Sequence, residues 1–233
     1  GIPVGSWAVA WLERLAAQWT TSFIAVSREN LESGVRLGLF EAGDADLIRS
    51  GIDLAAFRRP AGGEAVRAEL GIPADAPLAV QISCFKPQKA PERFIELASR
   101  LKASVPSAHF LLVGDGELRA RLERLRSDRG LDGRVHLPGW RRDVPAVLSA
   151  ATVVTLTSLF EGLPRALVEA LAAGVPVVAM AVDGVVEVVR DGENAIIAAM
   201  RKPNSSMAVA TKLVKQGQAD EVGSAGSTGA FMV

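Results

Sequence analysis

Residues 152–180 read "TVVTLTSLFEGLPRALVEALAAGVPVVAM". The stretch opens on the β-branched run "TVVTLT" (152–157) and closes on "VPVVAM" (175–180), both patterned as buried strands. Between them the spacing predicts a helix over 164–173. Pro164 suits its first position, where a missing N–H costs nothing, and Gly174 stands just past the last turn as a stop. A strand, a helix and a second strand in this order form a βαβ unit, and a crossover of that kind joins parallel strands.

The same alternation extends in both directions. Strands are expected at "LAVQIS" (78–83), "HFLLVG" (109–114) and "RVHLPG" (134–139), with helices at 91–104, 117–130 and 144–150. Upstream, a helix over 7–19 precedes the strand "SFIAVS" (22–27), a helix over 28–38 and the short strand and turn "DLIRSGIDL". "RRPAGGE" (58–64) reads as a linker, since Pro and paired Gly punctuate it. The implied fold is α/β, a Rossmann-like parallel sheet with helices on both faces. Such a sheet binds ligands in the crevice at the carboxyl ends of its strands.

Composition narrows the classes. The 233 residues suit one large domain or two small ones, and 49% apolar content supports a packed core. Lys+Arg and Asp+Glu balance at 26 each, which gives nucleic acid no electrostatic footing as a partner. The lone Cys84 suits a reducing compartment. No run approaches the ~20 apolar residues of a membrane span, and no secretory leader is apparent, so a cytoplasmic location is expected, with the inner membrane surface and peripheral contact there as a second one.

The residues that follow each strand are the ones to weigh. After 78–83 come Lys86 and Lys89, placed for phosphate in front of a helix or else simply solvated. After 109–114 comes "GDGE", where the glycines permit a tight turn and Asp115 serves as a cap for the next helix. After 134–139 come Trp140 and Arg141, candidates for the edge of a base or sugar, although Trp140 can equally pack. Asp183 and Gly184 form a turn after 175–180, and Glu187 is one more carboxylate at a strand end. His109 and His136 read as core or edge histidines, and nothing nearby completes a metal-ligand set.

The quoted stretch itself carries Glu161 in the loop before its helix and Glu169 in the second turn. Two readings stand level. Either Glu161 caps the helix and Glu169 lies on a solvated face, or carboxylates for hydroxyls and helix amides for phosphate share one crevice.

"SLFEGLPRALVEALAAGVPVVAMAVDGVVEVVRDGENAII" resembles the C-terminal, donor-binding domain of GT-B-fold retaining glycosyltransferases of the family 4 type, which carry an E-x7-E motif. The likeness extends back through "VHLPGWRRDVPAVLSAATVVTLTS", "LLVGDGELRARLE", "KPQKAPERFIELA" and "IAVS…IRSGIDLAAF", over roughly residues 20 to 198. The resemblance implies transfer of a sugar from a nucleotide diphosphate-sugar, with retention and without a metal or other cofactor. It implies Glu161 at the donor sugar beside the reacting centre and Glu169 at the ribose hydroxyls. Gly162 and Leu163 become backbone donors beside sugar and phosphates, and Lys89 grips the diphosphate. Cys84 stands where the family often has an Arg, so Lys86 would have to supply that charge. The acceptor is open between a lipid-linked and a saccharide one. A non-catalytic nucleotide-sugar binding module from the same domain is the alternative.

This resemblance divides the chain into 1–57, the tail of an acceptor domain with its crossover; the linker 58–64; a donor-binding domain over 65–200; and a segment over 201–233 outside the pattern. In that last segment "KPNSSMAVATKLVKQG" and "SAGSTGAFM" resemble a fragment of bacterial phosphate acyltransferase. A chimera or fragment, with most of the acceptor domain absent, is therefore expected. An acyltransferase activity is the weakest reading, as only about 33 residues support it.

Overall fold

The computed structural model describes residues 6–189. The segment 201–233 lies outside the described residues. In chain order the elements are α1 (Ser6–Ala17), β1 (Phe23–Ala25), α2 (Arg28–Arg36), β2 (Ala45–Leu47), α3 (Leu54–Phe57) and α4 (Gly63–Glu69). They continue with β3 (Leu78–Ile82), α5 (Pro91–Leu101), β4 (His109–Val113), α6 (Arg119–Asp128), β5 (Val135–Gly139) and α7 (Val144–Ala150). The last are β6 (Val153–Leu156), α8 (Arg165–Ala172), β7 (Val177–Ala179) and α9 (Val185–Val188).

The main sheet has five strands in the order β5-β4-β3-β6-β7, all parallel. Alternation along β4 shows why both faces are covered. Leu111 and Val113 join one apolar cluster with Val66 of α4, Leu148 of α7 and Leu167 of α8. Phe110 and Leu112 join the other with Phe94 of α5 and Leu122 of α6. Period-two side chains thus feed two cores, and the α/β reading of the sequence holds. β1 and β2 form a separate parallel pair. Among the described residues no helix is long and apolar enough to cross a membrane.

Two local expectations change. Helix α4 begins at Gly63, inside the stretch read as linker. Gly62 takes a left-handed φ of 94°, and a Cβ on Gly63 would lie 2.6 Å from the Ser149 and Ala150 backbone. The glycines that look like breakers in sequence are the contact that seats this helix on α7. Asp115 does not cap α6, which starts after Leu118; its carboxylate accepts from Gly116 N–H at 2.7 Å and pairs with Arg119.

The two histidines meet across β4 and β5, with ring planes 19° apart and 3.0 Å between Nδ1 of His109 and Nε2 of His136. Burial, with His109 and Arg126 adding to it, lowers the His136 pKa to about 4. Burial likewise lowers that of His109, next to Arg134 and Arg67. A base whose folded pKa is depressed stays neutral in the fold and takes up its proton on unfolding. Stability is then full above the ordinary histidine value and is lost as pH falls from about 6.5 toward about 4. Allowing for partial exposure, we expect about 1–3 kcal/mol to disappear in that window. Urea unfolding at pH 7, 6, 5 and 4.5 checks this, and His136→Gln should flatten the curve.

Candidate functional site

The strand order reverses between β3 and β6. In a doubly wound sheet this switch point opens a crevice at the carboxyl ends of the strands. The loop after β3 carries Lys89 and the loop after β6 carries Glu161. The two meet: Lys89 Nζ lies 2.6 and 2.7 Å from the two carboxylate oxygens. Glu161 is 6% exposed and also accepts from Ser158 Oγ at 2.6 Å. Its own N–H donates to Asp183 Oδ2 at 2.8 Å, which brings in the loop after β7.

The loops are stitched to one another. Leu159 N–H donates to Gln88 O at 2.8 Å and Gln88 Nε2 to Phe160 O at 3.1 Å. Thr157 Oγ1 lies 3.1 Å from Lys89 O, 3.0 Å from Ala90 O and 3.1 Å from the buried Gln81 Oε1. Among the described residues the non-glycine positions with left-handed φ are Ala90 (40°) and Asp183 (38°). Both flank this cluster, and strained backbone persists only where surrounding contacts over-determine it.

Helix α8 leaves the Glu161 loop. Pro164 is its N-cap rather than its first residue, because its ψ of 87° is not helical. Gly174 closes the helix end at φ 73°, as its position predicts. The first turn carries no acidic residue, and no side chain caps it. Glu161 therefore does not cap α8, since its oxygens are turned to Lys89 and Ser158. Among the described residues no hydrogen bond occupies the N–H groups of Gly162 and Leu163. Arg165 and Ala166 N–H at the start of α8 likewise have no partner among the described residues, whereas Leu167 N–H donates to Pro164 O at 3.0 Å; together the open amides form a run of donors that follows Glu161.

Glu169 lies one turn on. Its side chain is 13% exposed, so the reading of a solvated face fails. Burial raises its pKa, against a long contact of 3.5 Å from Arg165. Lys86 is exposed at the mouth of the β3 loop, and Cys84 is half-buried there. Trp140, beyond β5, is 64% exposed. Arg141 is held by Glu69 at 2.7 Å and Asp143 at 2.7 Å, which bind it to the helices rather than leaving it extended. Gly184 is buried; a Cβ there would lie 1.8 Å from Gly162 O and 2.9 Å from Ser27 Cβ.

Sequence reasoning gave no role to Ser158, Gln88 or Glu187. Glu187 Oε1 accepts from the N–H groups of Arg28 at 2.5 Å and Glu29 at 3.3 Å, and Oε2 pairs with Arg49 at 2.8 Å. Nothing local to Glu187 signals these partners. Among the described residues no group of three or more His, Cys, Asp or Glu side chains is placed to hold a metal ion.

Residues 63–225 match the family described as Glycosyl transferases group 1, and this match runs past residue 200. The chain is 33% identical, over 178 residues, to the Escherichia coli UDP-Gal:alpha-D-GlcNAc-diphosphoundecaprenol alpha-1,3-galactosyltransferase, covering 75% of this chain and 46% of that protein. It is 37% identical, over 131 residues, to the lipopolysaccharide core biosynthesis glycosyltransferase LpsE of Rhizobium meliloti (strain 1021), covering 56% of this chain and 37% of that protein. Among solved structures, Anabaena HepE in complex with UDP-glucose superposes with a TM-score of 0.82 at 25% identity, over 95% of this chain and 63% of that one. The chain thus spans less than half the length of these two curated relatives.

Proposed function

Since this chain belongs to the group 1 glycosyl transferases, we propose that its switch-point crevice binds a uridine diphosphate-sugar and serves as the donor half of a glycosyl transfer with retention. The observation that carries this is the pairing of Lys89 with Glu161 across β3 and β6, beside the open amides of Gly162 and Leu163. The choice of uridine is supported by the UDP-glucose bound in HepE and by the UDP-Gal in the name of the Escherichia coli relative.

Charge accumulates on the diphosphate as the bond to the sugar breaks. Lys89, with Lys86 at the mouth, and the α8 amides answer that charge with donors that need no reorganisation, which is the term that usually dominates. Glu161, held by Ser158 and Asp183, is directed at the sugar, and Glu169 accepts from the ribose hydroxyls. Trp140, Asp183 and Gly184 edge the base and sugar, while Arg141, tied back to Glu69 and Asp143, fixes the loop that carries Trp140. The residues as read ask for no metal and no other cofactor. The acceptor we propose is a lipid-linked or free saccharide met at the inner face of a membrane, with this chain peripheral there. We also keep as a proposal the separate origin of 201–233, which rests on its phosphate acyltransferase-like motifs.

Glu169→Gln tests the donor assignment. Burial holds the Glu169 carboxyl above its ordinary pKa, so stability present at low pH is lost as pH rises through the folded value. Gln removes that cost at pH 7, and the melting temperature should rise. UDP affinity should fall about tenfold in calorimetric titration, because a charged acceptor for the ribose is gone. Unchanged affinity in both Glu169→Gln and Lys89→Met would defeat the reading. Turnover of UDP-sugar with acceptor separates a transferase from a binding module.

A further inference from the structure

The short segment from Asp183 to Glu187 touches both the site and the neighbouring unit. Asp183 Oδ2 takes the N–H of Glu161 at 2.8 Å. Gly184 lies so close to the Gly162 carbonyl and to Ser27 that a Cβ would stand 1.8 Å from the one and 2.9 Å from the other. Glu187 then reaches across to the β1–β2 unit. One oxygen receives the first two amides of α2, and the other receives Arg49.

Each of these contacts is specific. The amides of Arg28 and Glu29 are orphan donors at the positive end of α2, whose cap Ser27 already serves Asn30. A carboxylate is the side chain that satisfies two amides and a guanidinium at once. The Glu187 side chain is 16% exposed, so the contact is shielded from water and from salt more than an open surface pair. Gly162 completes the junction: a Cβ on it would meet Val26 Cγ2 at 2.9 Å and Asn30 Oδ1 at 3.2 Å. The Glu161–Gly162 backbone is thus clamped between the Asp183 turn and the start of α2.

We infer that Glu187 is a positioning residue: by fixing α2 and Arg49 to the 183–187 segment it sets the placement of Asp183 and Gly184, and through them of the Glu161–Gly162 loop. The segment acts as a strap that couples the seating of the β1–β2 unit to the geometry of the switch-point crevice. Its meaning for donor binding rests on the function proposed above; the mechanical coupling does not.

The test therefore has two independent readouts on the whole chain. The first is amide hydrogen exchange by mass spectrometry, without ligand, on peptides spanning 27–31 and 159–163. Glu187→Ala should speed exchange about tenfold in both peptides, the effect of losing a helix cap. Glu187→Gln, which keeps an oxygen for the α2 amides, should give an intermediate result. Arg49→Gln should show a smaller rise of about threefold in both and serves if Glu187→Ala folds poorly. Exchange in 109–113 should stay at the wild-type rate in all three. Asp132→Asn, which removes the surface pair with Arg126, should move neither site peptide. Faster exchange confined to 27–31 would overturn the inference, since Glu187 would then be only a cap. The second readout is calorimetric titration with UDP, where Glu187→Ala should weaken affinity about tenfold at an unchanged stoichiometry. Coupled exchange in a protein that does not bind UDP would uphold the strap and overturn the donor assignment. Coupled exchange with unchanged UDP affinity would limit the strap to loop geometry and overturn its role in binding.

Discussion

Lys89→Met is expected to abolish measurable UDP binding and to lower stability by about 2–4 kcal/mol. The ammonium is bonded to both oxygens of Glu161, and Glu161 is 6% exposed. Methionine fills similar volume but strands the carboxylate with Ser158 as its remaining side-chain donor. Removing one partner of a buried pair costs more than the pair contributes, because the other charge stays desolvated. Lys89 is itself 23% exposed, so water can reach part of the gap, which places the cost at the lower end of the range for buried pairs. For a domain of this size about 2–4 °C in melting temperature accompany each kcal/mol. The double variant Lys89→Met/Glu161→Gln should recover much of the stability without recovering UDP binding. Denaturant unfolding of all three variants tests this. Additive losses would show that the two side chains do not depend on one another.

Gly184→Ala is expected to be as severe, for a steric reason. Gly184 has φ −67°, which any residue adopts, and it stands just before α9. Backbone propensity therefore favours alanine here by up to ~1 kcal/mol. Packing opposes it: the added carbon would sit 1.8 Å from the Gly162 carbonyl oxygen and 2.9 Å from the Gly162 carbonyl carbon, both main-chain atoms. No rotamer relieves such an overlap, so the loops must part, at about 3 kcal/mol or more. UDP affinity should fall with stability, since the displaced backbone is the one that follows Glu161. Gly174→Ala is the contrast. Its φ of 73° is strained for alanine but nothing lies within 4 Å, so about 1 kcal/mol is expected with the site intact. Chemical denaturation and UDP titration of both variants decide between the conformational and steric accounts.

That Lys89 and Glu161 lie at one edge of the sheet is legible in the sequence. Lys89 and Glu161 stand in loops that follow strands, and a parallel sheet directs such loops to one edge. That the two side chains bond to each other was not legible, because 72 residues separate them. Helix α4 is hidden from a local reading for a different reason. Its Gly62-Gly63 start is a breaker locally and becomes a fitting surface only against the Ser149 and Ala150 backbone. Glu187 showed only as a carboxylate near a strand end; its partners are 138 and 159 residues away.

By itself, then, the sequence determined the period of each segment, the alternation of strands and helices, and hence a parallel sheet with the loops that follow its strands at one edge. These follow from short-range sterics and from burying apolar side chains at spacings of two and 3.6 residues. Tertiary structure alone decided that β3 lies beside β6, that Glu161 takes its partners from Lys89, Ser158 and Asp183, and that Glu187 faces α2. Strand order and the pairing of distant loops are set by how whole layers pack, and no local pattern along the chain encodes which distant polar groups will be brought together and sealed from water.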